Sequence, residues 1–133
     1  MGHGDTLVLA DANFPAHSIA RANQARLVPY EACTSIADLL AAILTLLPLD
    51  TYDTPAACME MVASDAAAGM QIPCRAVYES VCSAAEQRPI ALAKVERFAF
   101  YEQARSAFAI VPTSDAAPYA NVILRKGVLP FQK

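Results

Sequence analysis

A histidine and an aspartate at the two ends of a short apolar segment are candidates for acid–base chemistry. His3 lies between two glycines directly before the segment Thr6–Ala10, and Asp11 directly follows it. The glycines let the backbone bend around the imidazole, and a histidine so placed is suited to proton transfer near neutral pH. A turn or capping histidine is the alternative interpretation.

These two candidate groups are separated by the segment between them. A five-residue strand spans about 17 Å, because a strand rises by about 3.3 Å per residue. If Thr6–Ala10 is a strand, His3 and Asp11 serve one site only where the flanking loops fold back.

A second group of candidate residues precedes the last apolar run. Pro118, Tyr119, Ala120 and Asn121 are expected to open a strand, in which Tyr119 and Asn121 point to the same face. An aromatic ring beside an amide suits a sugar, whose C–H face stacks on the ring while its hydroxyls bond the amide. The alternative is a tyrosine packed on the sheet and an asparagine that closes a turn.

Five further residues carry polar or polarisable side chains whose spacing alone does not indicate a function. Arg97, Tyr101 and Arg105 recur at every fourth residue, so one helical face presents all three, and a solvated face is the simplest explanation. Asp50 follows a proline that ends a predicted helix, which is typical of a turn. Met59 lies in an apolar run typical of a core.

The elements that would position these residues alternate between strands and helices. Ser35 followed by Asp38 predicts a helix start, apolar spacing continues it over 36–47, and Pro48 ends it. Pro73 predicts the start of another helix. The expected strands are Thr6–Ala10, 27–30, 58–63, 93–97, 107–111 and 121–124, and the expected helices are 36–47, 73–87 and 99–106. This alternation predicts an α/β layered domain with a mostly buried central sheet.

The composition excludes several classes of protein. The chain has 133 residues, of which 56% are hydrophobic and 17% charged, so it is not a disordered chain. Its net charge is -3 and no segment clusters basic residues, which argues against a nucleic-acid partner. So much apolar surface in a small chain predicts a buried interface between copies.

The cysteines and the longest apolar segment indicate in which compartment the protein works and whether it crosses a membrane. Cys33, Cys58, Cys74 and Cys82 include no C-x-x-C pair, so we expect no zinc site and four reduced thiols in a cytosolic protein. The apolar segment 36–49 is too short and too interrupted to cross a bilayer. The amino-terminal residues lack the pattern of a secretory signal.

Five segments, in this order, resemble the family of L-fucose mutarotases and D-ribose pyranases. They are GHGD at 2–5, LADANFPAHS at 9–18, LLPLDTY at 46–52, ERFAFYEQAR at 96–105 and PYANVILRKGVL at 118–129. The third and fourth segments are similar to those of the fucose branch. In the fourth, the ribose branch usually has a histidine where Arg97 stands.

The resemblance implies a three-layer α/β/α domain that interconverts sugar anomers without a metal or an organic cofactor. It also implies a homo-oligomer with sites near subunit contacts. His3 matches the family's catalytic histidine; Asp11, Arg97, Tyr119 and Asn121 match sugar-binding positions; and Asp50, Met59 and Tyr101 match further contacts of the fucose branch. A pyranase or other monosaccharide mutarotase, and a non-catalytic sugar-binding oligomer, remain alternatives.

The same resemblance predicts the extent of the domain. Residues 1–133 are expected to form a single mutarotase-like domain. Family members usually carry a helix before the GHGD motif, whereas here the motif directly follows Met1. We therefore expect a domain without that helix, with His3 close to a mobile terminus.

Overall fold

Six strands form one mixed sheet in the computed structural model, which describes residues 1–23, 25–30 and 35–130. The strands are β1 (Thr6–Ala10), β2 (Arg26–Leu27), β3 (Ala56–Met59), β4 (Ala93–Val95), β5 (Ala109–Pro112) and β6 (Val122–Arg125). Their order across the sheet is β2-β5-β1-β6-β3-β4. Because β6 is antiparallel to both of its neighbours while the other pairs are parallel, the carboxyl ends of the other five strands share one edge with the start of β6.

Helices cover both faces of this sheet. They are α1 (Ala16–Asn23), α2 (Ile36–Ile43), α3 (Ala63–Ala67), α4 (Cys74–Glu86) and α5 (Arg97–Arg105). Successive residues of β1 point to opposite faces: Leu7 and Leu9 pack with α2 and α4, and Val8 and Ala10 pack with α1 and α5. The prediction of an α/β domain with a buried sheet is confirmed.

The two longest predicted helices begin where their caps predict. The Ser35 hydroxyl accepts a hydrogen bond from the Asp38 amide at 3.3 Å, and α2 follows it. This helix ends at Ile43 rather than at residue 47, and 44–46 continue as a turn. Pro73 precedes α4, which ends at Glu86. Gln87 follows it with φ of 55°, a left-handed position more often occupied by glycine.

Several predicted strand boundaries are wrong. The strand expected at 93–97 ends at Val95, because the Glu96 carboxylate accepts hydrogen bonds from the Phe98 and Ala99 amides at 2.9 and 3.0 Å and starts α5. The strand expected at 58–63 is β3, and α3, which was not predicted, begins at Ala63. The strand expected at 27–30 is β2, and the one expected at 107–111 is β5.

The residues before the last strand also differ from the prediction. β6 begins at Val122, and Tyr119 has φ of 54°, which is left-handed backbone and not a strand. The argument that Tyr119 and Asn121 share a strand face was therefore wrong.

Three further observations concern the cysteines, membrane-spanning helices and metal sites. Cys58, Cys74 and Cys82 are free thiols, and Cys33 lies outside the described residues. Within the described ranges no helix is long and apolar enough to cross a membrane. In the same ranges no three His, Cys, Asp or Glu side chains are grouped so that they could hold a metal ion.

Candidate active site

A pocket opens at the sheet edge where β1, β3 and β4 end and β6 begins. It is a cavity of about 300 Å³, at the lower end of the range for small-molecule sites. After β1 the chain forms β2 on one side of β1 and then β3 on its other side. In α/β sheets, ligands bind at the point where the strand order reverses in this way. The described residues that line the pocket are Asp11, Asn13, Phe14, Met59, Asp65, Met70, Arg97, Tyr101, Pro118, Tyr119 and Asn121.

Asp11 and Asn121 form the buried polar floor of this pocket. The Asp11 amide donates to Asn121 Oδ1 at 2.7 Å, and the Asp11 carboxylate accepts from the amides of Asn13 and Ala120 at 3.0 and 3.3 Å. Because its amide oxygen is engaged, Asn121 has its NH₂ group available to donate to a ligand. Burial raises the pKa of Asp11, although these amide hydrogen bonds oppose the shift.

The first turns of α5 bring a cation and a phenol to the pocket. Arg97 is the first residue of α5, and Tyr101 lies one turn later, so both side chains reach the same space. The guanidinium lies 4.7 Å from the centroid of the Phe98 ring, and the Tyr101 ring meets Phe14 edge-on at 5.5 Å. Arg105 instead pairs with the exposed Glu102.

Tyr119 is held at the pocket in a strained conformation. Left-handed backbone costs a residue other than glycine about 1–3 kcal/mol. Its hydroxyl accepts from the Val62 amide at 3.2 Å and donates to Asp65 Oδ2 at 2.5 Å. Behind the loop, the buried Tyr78 hydroxyl donates to the Ala120 carbonyl at 2.9 Å. These contacts stabilise the strained residue, and the hydrogen bond to Asp65 raises the pKa of Tyr119.

Apolar side chains complete the lining. Phe14 and Met59 are buried, and Met70 is 37% exposed at the mouth. Together with Pro118 they give the pocket apolar surface in addition to its polar groups. Such a lining suits a small ligand with several hydroxyls and a C–H surface.

His3 and Asp50 lie at the opposite edge of the sheet. His3 Nε2 is 3.0 Å from Asp50 Oδ1, and the Tyr52 amide donates to the same oxygen at 3.1 Å. The hydrogen bond from the Tyr52 amide is the main cause that lowers the pKa of Asp50, and His3 lowers it further. Burial of the carboxylate acts in the opposite direction. An ionised carboxylate only accepts hydrogen bonds, so Nε2 is the donor and a neutral His3 has its free lone pair on Nδ1.

The eight residues predicted for the site therefore fall into two groups. Six line the pocket: Asp11, Met59, Arg97, Tyr101, Tyr119 and Asn121. His3 and Asp50 are a residue pair of their own near the amino end of β1. Five other lining residues were not predicted as site residues, although 13, 14 and 118 lie in the motifs that indicated the family: Asn13, Phe14, Asp65, Met70 and Pro118.

Comparisons with known proteins agree with this architecture. Residues 1–129 match the model of the RbsD / FucU transport protein family. The human protein named fucose mutarotase is 53% identical over 97% of this chain and 82% of its own. The solved structure of FucU from Bifidobacterium longum is 43% identical, with a TM-score of 0.88 over 98% of this chain and 89% of that one. A Streptococcus pneumoniae fucose mutarotase solved in complex with L-fucose is 35% identical, with a TM-score of 0.85 over 98% of this chain and 87% of that one.

Proposed function

Because this chain belongs to the RbsD/FucU family, we propose that it is a mutarotase that interconverts the α and β anomers of L-fucopyranose. One observation carries the proposal. The pocket surrounds about 300 Å³ with two carboxylates, two amides, a guanidinium and two phenols beside apolar side chains. That inventory can bond the hydroxyls of a monosaccharide and pack against its C–H face.

The reaction needs only positioned proton donors and acceptors. A base takes the proton of the anomeric hydroxyl as the C1–O5 bond breaks, and an acid gives a proton to the ring oxygen. The open-chain aldehyde turns about C1–C2, and the reverse transfers close the ring on the other face. Each positioned acid or base contributes roughly 10²–10⁴-fold.

The proposed roles follow from the groups present. His3, with Asp50 orienting its ring, is the principal proton-transfer group. Asp11 and Asn121 hold sugar hydroxyls, and Arg97 donates to them without exchanging its own proton.

One of the remaining pocket side chains is the proposed proton-transfer partner of His3. Tyr119 has its hydroxyl proton engaged by Asp65, so Tyr101 is the better proton donor. Met59 contributes apolar contact from the end of β3.

We further propose that the chain is a homo-oligomer in which His3 of a second copy completes the pocket. Within one chain His3 lies beyond the amino end of β1 and the pocket beyond its carboxyl end, about 17 Å away by the length of a five-residue strand. Exposed aromatic rings stand beside each half: Tyr52, 81% exposed, contacts His3, and Phe98, 61% exposed, contacts Arg97. Such rings are expected where two copies meet.

The cytoplasm is the compartment we propose for the enzyme. Cys58, Cys74 and Cys82 are free, and free thiols are the usual state in a reducing compartment. The proposed reaction oxidises nothing, so it places no demand of its own on the redox state.

Saturation-transfer NMR tests the proposed activity directly. Irradiating the α anomeric proton of L-fucose should decrease the β signal when protein is added, and a chelator should leave the transfer unchanged because the proposed groups need no metal. D-Ribose measured in parallel should show slower exchange. Transfer that is lost on chelation, or a faster rate with D-ribose, would contradict the assignment.

A further inference from the structure

Asp65 is a pocket carboxylate that has no role in the proposed reaction. It lies on α3, half-buried, and its Oδ2 accepts the Tyr119 hydroxyl proton at 2.5 Å. The same hydroxyl accepts from the Val62 amide, the residue that precedes α3. Two hydrogen bonds thus attach the segment that carries α3 to the Tyr119 hydroxyl, which donates in one and accepts in the other.

These two bonds determine what the hydroxyl offers a ligand. A phenol has one proton and two acceptor lone pairs. The proton is directed to Asp65 and one lone pair receives the Val62 amide, so a single acceptor position remains. Tyr119 in this arrangement receives a hydrogen bond from a sugar O–H and does not donate one.

We propose that Asp65 is a positioning residue of the sugar site, which fixes the Tyr119 ring and presents its hydroxyl as a hydrogen-bond acceptor to the substrate. The inference rests on the proposed function, since it concerns binding of the same sugar. Tyr119 needs such a support because its backbone is left-handed and strain persists only where surrounding contacts hold it.

A role limited to helix stability does not account for these contacts. Asp65 lies in the first turn of α3, where a carboxylate favours the helix dipole. However, α3 has five residues and no buried side chain, and Asp65 Oδ2 is bonded to a tyrosine 54 positions away in the chain.

Substrate dependence of the exchange rate separates these two roles. Asp65→Ala should raise the KM for L-fucose about tenfold, the upper end of the effect of losing one neutral hydrogen bond between the sugar and Tyr119, and should change kcat less than about threefold. Purely structural damage would instead lower the active fraction, and with it kcat, at unchanged KM. Asp38→Ala, the same change on an exposed turn of α2, should leave both parameters at the wild-type values.

A double-mutant comparison tests whether Asp65 acts through Tyr119. Asp65→Ala, Tyr119→Phe and the double variant should share one KM within about twofold, because all three lose the same contact. A tenfold effect of Asp65→Ala that persists in the Tyr119→Phe background would overturn the proposal, as would an unchanged KM.

Tyrosine ring NMR provides a readout that needs no substrate. In protein with ¹³C-labelled tyrosine rings, the Tyr119 signal is the one missing from Tyr119→Phe among the five tyrosines. Its pKa should fall in Asp65→Ala, since Asp65 raises it, and an unchanged titration would contradict the role. If the wild-type chain shows no anomer exchange, the proposed function fails while this titration still decides the Asp65–Tyr119 contact.

Discussion

The carboxylate beside His3 decides which of its ring nitrogens is available for proton transfer. Asp50 accepts from Nε2 at 3.0 Å and is itself held by the Tyr52 amide. The neutral imidazole is therefore fixed as the tautomer with its lone pair on Nδ1. A base whose orientation is set by a third group is the arrangement used in nucleophile–base–carboxylate systems.

Replacing His3 should abolish most of the activity and leave the fold intact. His3→Ala should lower anomer exchange by about 10²-fold or more, because a positioned acid–base group is lost. The side chain is 46% exposed, so its removal opens no core cavity. Saturation-transfer NMR gives the rate, and circular dichroism checks the fold.

The chain offers a matched control for this change. His17, the other of its two histidines, is exposed on α1 and outside the pocket lining. His17→Ala should exchange L-fucose at the wild-type rate. Equal rates for both variants would reduce His3 to a turn residue.

Residue types and local motifs predicted much of the site, and contacts across the fold account for the rest. Asp11 and Tyr119 were found because each stands in a polar motif next to an apolar run. Asp65 stands in a segment with no such motif, and its significance arises only when α3 meets the Tyr119 loop. The pairing of His3 with Asp50, 47 residues later in the chain, could likewise not be predicted from residue spacing.

At the scale of elements, starts marked by a side chain or a proline were predicted well. Ser35 and Pro73 precede α2 and α4 as expected. The start of β6 was misplaced because a left-handed tyrosine carries no sequence signal comparable to a glycine. That misplaced boundary lies at the pocket, where contacts from Asp65 of α3 and Tyr78 of α4 hold the strained Tyr119 loop.

The junction between β6 and the Asp50 loop depends on a glycine. The Gly127 amide donates to the Pro48 carbonyl at 2.7 Å, and a Cβ added to Gly127 would lie 2.5 Å from the Leu49 carbonyl oxygen and 3.1 Å from Asp50 Cα. The two backbones are therefore too close for any side chain at position 127.

Gly127→Ala should consequently destabilise the protein and disturb the His3–Asp50 pair. Overpacking of this kind costs about 1–3 kcal/mol, which urea unfolding followed by circular dichroism would measure. Gly2→Ala is the control, since its added Cβ would make an ordinary contact at 3.8 Å to Asp5. Similar unfolding midpoints for the two variants would show that the junction relaxes freely.

At the scale of the whole molecule, the sheet separates the two halves of the proposed site. Alternating periodicity predicted the layered α/β architecture, but strand order depends on long-range pairing and could not be derived from it. In the observed order, β1 connects the edge that carries His3 to the edge that carries the pocket. A single chain therefore holds the two halves of the proposed site at opposite edges of the sheet, and the excess of apolar residues supports the proposal that an assembly brings them together.

Mixing two inactive variants tests this arrangement. His3→Ala retains an intact pocket, and Asn121→Ala retains an intact His3–Asp50 pair, so neither homo-oligomer should exchange anomers appreciably. When the two are unfolded and refolded together in equal amounts, about a quarter of the contacts between copies should join an intact His3 to an intact pocket. Exchange in the mixture should then recover to about one quarter of the wild-type rate.

A mixture of His3→Ala with Asp50→Ala should stay inactive, because both changes damage the same half of the site. If the first mixture also stays inactive while native mass spectrometry shows oligomers that contain both variants, His3 serves the pocket of its own chain and the amino-terminal loop must fold back over β1.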